Sequence, residues 1–183
     1  MKVLGLAGWS GSGKTTLLTA LLPRLTAAGL SVSTIKHAHH GFDLDRPGKD
    51  SFRHREAGAT EVLVASAVRW ALMHELRDEA EPDLPFLLAR LAPVDLVLVE
   101  GFKAHRFPKI EVHRPSLGKP PIWPGDPAIV AVAAESALSG CDRPVLKLGD
   151  PDAVCAWLLG FIDSMPPHAS APERGEALLI DPP

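Results

Sequence analysis

Neither asparagine nor glutamine occurs anywhere in the 183 residues. The N-K-x-D loop that reads guanine in many nucleotide-binding proteins is therefore absent, and no glutamine is available to position an attacking water. Cysteine is almost as scarce. Cys141 and Cys155 lie far apart and match no C-x-x-C spacing, which excludes a disulfide framework and a cysteine-based zinc site. No apolar run approaches the roughly 20 residues that a membrane-spanning helix needs, because Pro, Gly or charge interrupts each one. The opening MKVLGLAGW breaks at Ser10 and Gly11, short of a secretory core, so the cytoplasm is the expected location. A strong excess of either charge is missing too. With 19 Lys plus Arg against 22 Asp plus Glu, the net charge of -3 offers no attraction to nucleic acid or an anionic membrane.

What is present is apolar. At 46% hydrophobic and 22% charged residues the chain can bury one good core. Strand-length apolar runs alternate with helical periods in KVLGLAG, KTTLLTALLPRLTAAG and LSVSTIKH, an order that predicts βαβ units on a mostly parallel central sheet with helices on both faces. Leu17, Leu18, Leu21, Leu22 and Leu25 form one face of the first helix, Pro23 should bend or break it, and Gly29 should end it. DSFRHREAG reads as a helix ended by Gly58, and TEVLVAS with VRWALMHE as an antiparallel strand pair. DLPFLLARLA reads as a short helix and VDLVLVE as a central strand buried on both faces. KIEVHR alternates and reads as an exposed edge strand, AIVAVAA as a buried strand, and PDAVCAWLLGFI as a closing helix. Residues 1–164 are thus read as one domain and 165–183 as a flexible tail.

Gly8 to Thr15, in GWSGSGKTT, satisfies G-x-x-x-x-G-K-[ST] between a predicted buried strand and a predicted helix. A phosphate cradle needs backbone N–H groups to converge, and Gly11 and Gly13 stand where a Cβ would obstruct. With Ser12 they form the cradle. Lys14 would reach the β- and γ-phosphate oxygens, Thr15 would offer its hydroxyl to Mg²⁺, and Thr16 would bond the α-phosphate. Such a site needs an acid at the end of a neighbouring buried strand, and Glu100 is one. Asp95, at the start of that strand, reads as structural. Asp43 and Asp45, if extended, face one side and read either as Mg²⁺ ligands or as solvated loop acids.

Other residues keep two readings. His37, His39 and His40 could ligate a metal, but no further ligand stands at a familiar spacing, and an anion-positioning role at the Lys36-His37 strand end is favoured. Arg53 and Arg55 would either reach an anionic substrate or cover a helix face. Trp157 reads as core, whereas Trp9, inside the loop, cannot be deeply buried.

KHAHHGFDLDRPGKDSFRHREAGA, RWALMHE and VEGFK, beside GWSGSGKTT, make residues 3 to 113 resemble the molybdopterin-guanine dinucleotide biosynthesis protein B family. The resemblance implies a P-loop NTPase three-layer fold and a cytoplasmic, usually dimeric GTP-binding accessory protein. Its partner would be a guanylyltransferase that attaches GMP to molybdopterin, with molybdopterin a candidate ligand and GTP hydrolysis slow at best. It also implies that Gly11, Gly13, Lys14, Thr15 and Thr16 hold GTP, that Asp45 and Glu100 serve Mg²⁺, and that HAHHG and EGFK face ligand or partner. Lys14 and Glu100 would be the groups closest to the chemistry. The alternative is a small-molecule kinase using ATP, with Arg53, Arg55 or the Pro-rich segment RPSLGKPPIWPGDP as a lid.

Overall fold

The computed structural model describes residues 1–38, 41–102 and 105–166. Two compact units emerge, Met1–His37 with the chain from Leu84 onward, and Ala38–Asp83. The first carries the sheet. In chain order its elements are β1 (Lys2–Ala7), α1 (Lys14–Ala27) and β2 (Val32–Lys36), and the second unit then supplies α2 (Asp50–Glu56), β3 (Glu61–Ala65) and β4 (Trp70–His74). The first unit resumes with α3 (Leu84–Leu88), β5 (Leu96–Glu100), β6 (Lys109–His113), β7 (Ile129–Ala134), β8 (Val145–Lys147) and α4 (Pro151–Ser164).

The six-stranded sheet runs β2-β5-β1-β6-β7-β8, and every pairing in it is parallel. Period-two alternation divides its core. Leu4, Leu6, Leu96, Leu98, Ile110 and Val112 face one way, against Leu17, Leu18, Leu21 and Leu25 of α1 and Val154, Leu158 and Ile162 of α4. Each fully buried leucine contributes about 2 kcal/mol. Val3, Val97 and Val99 face the other way, where Leu84 and Leu88 of α3 pack. Helix α1 continues through Pro23 without a break, and Gly29, at φ +90°, ends it. Asp150 caps α4 by accepting from the Ala153 amide at 3.0 Å. Asp95, just before β5, accepts from the amide and hydroxyl of Ser31, and these bonds hold its carboxyl below the usual range.

One element departs from its pattern. KIEVH is no exposed edge: β6 lies between β1 and β7, and all five residues are buried. Its polar positions are satisfied internally. Lys109 Nζ lies 3.0 Å from Asp126 Oδ2, and the Glu111 carboxylate accepts from the amides of Ile122 and Trp123. The Pro-rich segment is thereby tied onto the sheet, with the Trp123 ring edge-on to His113 at 5.5 Å. The short strand β8, within the stretch VLKLGD, carries too little pattern to be recognised from sequence. Met165, assigned to the tail, is buried with α1 and α4, and residues 167–183 lie outside the described residues.

In the second unit β3 and β4 pair antiparallel, with Leu63 opposite Leu72 and Ala65 opposite Trp70. Gly58, at φ +109°, follows the end of α2.

Candidate functional site

Strand β1 delivers the chain to Gly8, whose φ of +142° and whose place 2.5 Å from the Val112 carbonyl, measured from a built Cβ, admit only glycine. The loop then turns through Trp9 to Ser12, closed by a bond from the Ser12 amide to the Trp9 carbonyl at 3.1 Å. Gly13, at φ +100°, is the N-cap of α1 and offers no side-chain cap. The first-turn amides of α1 are therefore left for a ligand, which is the arrangement that binds phosphate. Ser12 is buried, and its Oγ has no partner.

Lys14 Nζ donates to the carbonyls of Gly8 and Trp9 at 3.1 and 3.0 Å, so its charge lies folded along the loop. Thr15 Oγ1 donates to Glu100 at 3.0 Å from Oε1 and 3.1 Å from Oε2. That pairing is the central geometric finding. Glu100 stands opposite Leu6 in the β1–β5 register, so the acid belongs to the strand beside the one that feeds the loop. A hydroxyl and a carboxylate side by side are hard oxygen donors of the kind Mg²⁺ prefers. Cradle and donor set both fit a Mg²⁺-nucleoside triphosphate. Thr16, next along the helix, is exposed.

Beyond Glu100 the chain turns sharply through Gly101 (φ +106°) and Phe102 (φ +50°). The His37 ring lies 4.7 Å from Phe102, and its amide bonds the Glu100 carbonyl at 2.8 Å. His39, His40 and Lys103 of EGFK lie outside the described residues. No group of three metal-ligating side chains occurs among the described residues.

Leu44 and Asp45 form a bend, so Asp43 and Asp45 do not lie on an extended run. Asp43 Oδ1 accepts from the Asp45 amide at 2.9 Å, and both of its oxygens accept from Arg55 at 3.0 Å. The backbone bond first, and Arg55 second, hold the Asp43 carboxyl below its ordinary value. Asp45 accepts from Ser51 at 3.0 Å, and Arg55 also meets Glu75 at 2.9 Å. Arg55 is thus engaged within its own unit, and the Pro-rich segment is tied to the sheet; neither matches the kinase lid.

Sequence reasoning missed Arg114 and Glu135. Arg114 follows β6, donates from Nε to the Ser12 carbonyl at 2.9 Å, and pairs with Glu135, which follows β7, at 3.0 Å. The signal that singled out Glu100, a charged residue closing a buried strand, was present at both; reading β6 as an edge concealed Arg114. A groove of about 1100 Å³ lined by Trp9, Phe107, Lys109, Ile122 and their neighbours takes only Trp9 from the Gly8–Thr15 loop.

Residues 3–135 match the family model described as "MobB: Molybdopterin guanine dinucleotide synthesis protein B". The chain belongs to the MobB family. A relative from Escherichia coli (strain K12), named "Molybdopterin-guanine dinucleotide biosynthesis adapter protein", is 45% identical over 87% of this chain and 93% of its own length. A relative of the same name from Haemophilus influenzae is 44% identical over 87% and 90%. Among solved structures, a "molybdopterin-guanine biosynthesis protein B (mobB)" superposes with a TM-score of 0.70 at 28% identity, over 88% of this chain and 99% of that one. The MobB homolog from Bacillus stearothermophilus gives 0.66 at 29%, over 90% and 100%. This P-loop fold is thus shared with MobB proteins, and these relatives do not favour the kinase alternative.

Proposed function

We propose that the chain is an adapter of molybdopterin-guanine dinucleotide biosynthesis that binds GTP and Mg²⁺ at Gly8–Thr16 and assists a molybdopterin guanylyltransferase in the cytoplasm. One observation carries the nucleotide reading: the Thr15 hydroxyl rests on the Glu100 carboxylate at the mouth of an uncapped helix, with Lys14 alongside. In use, the amides from Gly11 to Thr15 would wrap the β-phosphate, Lys14 would turn from the loop carbonyls to the β- and γ-oxygens, and Thr16 would meet the α-phosphate. Thr15 and Glu100 would hold Mg²⁺, directly or through water. Mg²⁺ held there would supply charge neutralisation to the β- and γ-phosphate oxygens. Hydrolysis is expected to be slow, because the chain has no glutamine to orient water.

The relatives' names support the adapter role. A homodimer is supported by the second unit, where Leu63, Trp70 and Leu72 share one face of the hairpin at 61%, 70% and 47% exposure. Titration with a fluorescent GTP analogue, with and without Mg²⁺, tests the nucleotide site. Tight Mg²⁺-dependent binding that Lys14→Ala abolishes, with the melting curve unchanged, is the expected result. Equal affinity in the Lys14→Ala protein would refute the assignment.

A further inference from the structure

Thr15 and Glu100 lie on the β5 side of the phosphate loop. In an open parallel sheet the ligand lies across the carboxyl ends of the strands. A triphosphate whose Mg²⁺ end is held over β5 therefore sends its nucleoside across β1 to the other side of the sheet, where β6 and then β7 lie. Arg114 and Glu135 close those two strands.

Their setting is specific. Arg114 Nε donates to the Ser12 carbonyl at 2.9 Å, its guanidinium would lie 3.4 Å from a Cβ built on Gly13, and its Nη1 lies 3.0 Å from Glu135 Oε1. Both side chains remain partly open, at 36% and 48% exposure. A cationic donor and an anionic acceptor thus stand side by side, one guanidinium away from the phosphate loop. Asp150, the acid of LKLGD, is committed to capping α4.

We propose that Glu135, positioned by Arg114, is the group that selects guanine, an inference that rests on the nucleotide reading above. Guanine presents O6 as an acceptor beside two donors, N1–H and the N2 amino group. Arg114 complements O6, and the Glu135 carboxylate accepts from N1–H and N2. Adenine reverses this edge: its N6 amino group faces the guanidinium, and its N1 lone pair faces the carboxylate. The pair therefore attracts one purine and repels the other, which gives discrimination from both directions.

Calorimetric titration of the full chain with Mg²⁺ and GTP, ATP, XTP or inorganic tripolyphosphate tests this, for wild type, Glu135→Gln and Arg114→Lys. Xanthine carries an oxygen in place of the N2 amino group, so a carboxamide at 135 complements it. The expected result is a wild-type preference for GTP over ATP. Glu135→Gln should lower GTP affinity about tenfold or more and raise XTP relative to GTP, with tripolyphosphate affinity unchanged. Arg114→Lys keeps the charge but loses the fork, and should give an intermediate GTP to ATP ratio. An unchanged ratio in Glu135→Gln, or a parallel loss of tripolyphosphate binding, would overturn the inference. A wild type that binds tripolyphosphate, GTP and ATP equally would overturn it while leaving the phosphate site intact. Binding of none of the four would overturn both.

Discussion

Replacing Glu111 by alanine separates a buried β6 from an exposed one. The carboxylate is fully buried and accepts from the Ile122 amide at 2.9 and 3.0 Å and from the Trp123 amide at 2.8 Å. Truncation leaves two amides without an acceptor under the Pro-rich segment, and each buried unpaired donor costs about 1–3 kcal/mol. The loss is partly offset. Burial penalises the charged carboxylate and holds its pKa above the ordinary value, even though the two amides pull it down, and alanine removes that penalty. A net destabilisation of about 2–4 kcal/mol follows, or roughly 4–16 °C in a chain of this size. Urea unfolding followed by tryptophan fluorescence measures it, as a lower midpoint with little change in slope. Glu111→Gln keeps one acceptor and should lose about half as much. A change below about 0.5 kcal/mol for alanine, the usual result at an exposed position, would refute the burial argument.

Glu100→Gln should weaken Mg²⁺-dependent nucleotide binding at least tenfold while sparing Mg²⁺-free binding, since it removes a negative donor from the Thr15 pair; titration across Mg²⁺ concentrations reads this, and an unchanged Mg²⁺ dependence counts against the metal assignment. Leu72→Glu, placing a charge on the apolar hairpin face, should shift a dimer to monomer in sedimentation equilibrium, and an unaltered dimer would clear that face of the interface. The His74 pKa is raised by bonds to Glu61 and then Glu79. Its contribution is therefore fully present below about pH 6.5 and is lost as pH rises through the higher folded value. Hydrogen exchange in β4 should accelerate from pH 6 to 8 beyond the intrinsic rate in wild type, and that excess should vanish in His74→Gln.

The strand-loop-helix unit around Gly8–Thr15 was legible because its chemistry is local. Glycine conformation and helix start both lie within a dozen residues, and the apolar run ending at Glu100 announced a central strand in the same way. The β3–β4 pair was legible because its strands are adjacent in sequence. KIEVH misled for an equally physical reason. Alternating polarity reports that one face is polar, not that it is wet; here Asp126 and two loop amides satisfy that face from more than ten residues away in sequence. For Asp43 and Asp45 the sequence left two readings, and the one that placed them on a shared side presupposed an extended backbone, whereas the Asp45 amide bends back onto the Asp43 carboxylate.

Sequence alone thus determined the phosphate loop, the alternating α/β order, the family resemblance and the absence of an N-K-x-D guanine reader, since each depends on neighbours in the chain. Only the tertiary structure decided that β6 is central, that Thr15 meets Glu100 across 85 positions, and that Arg114 and Glu135 close adjacent strands beside the loop. Strand order in a parallel sheet is set by how helices and loops cover its two faces, and no local pattern encodes it.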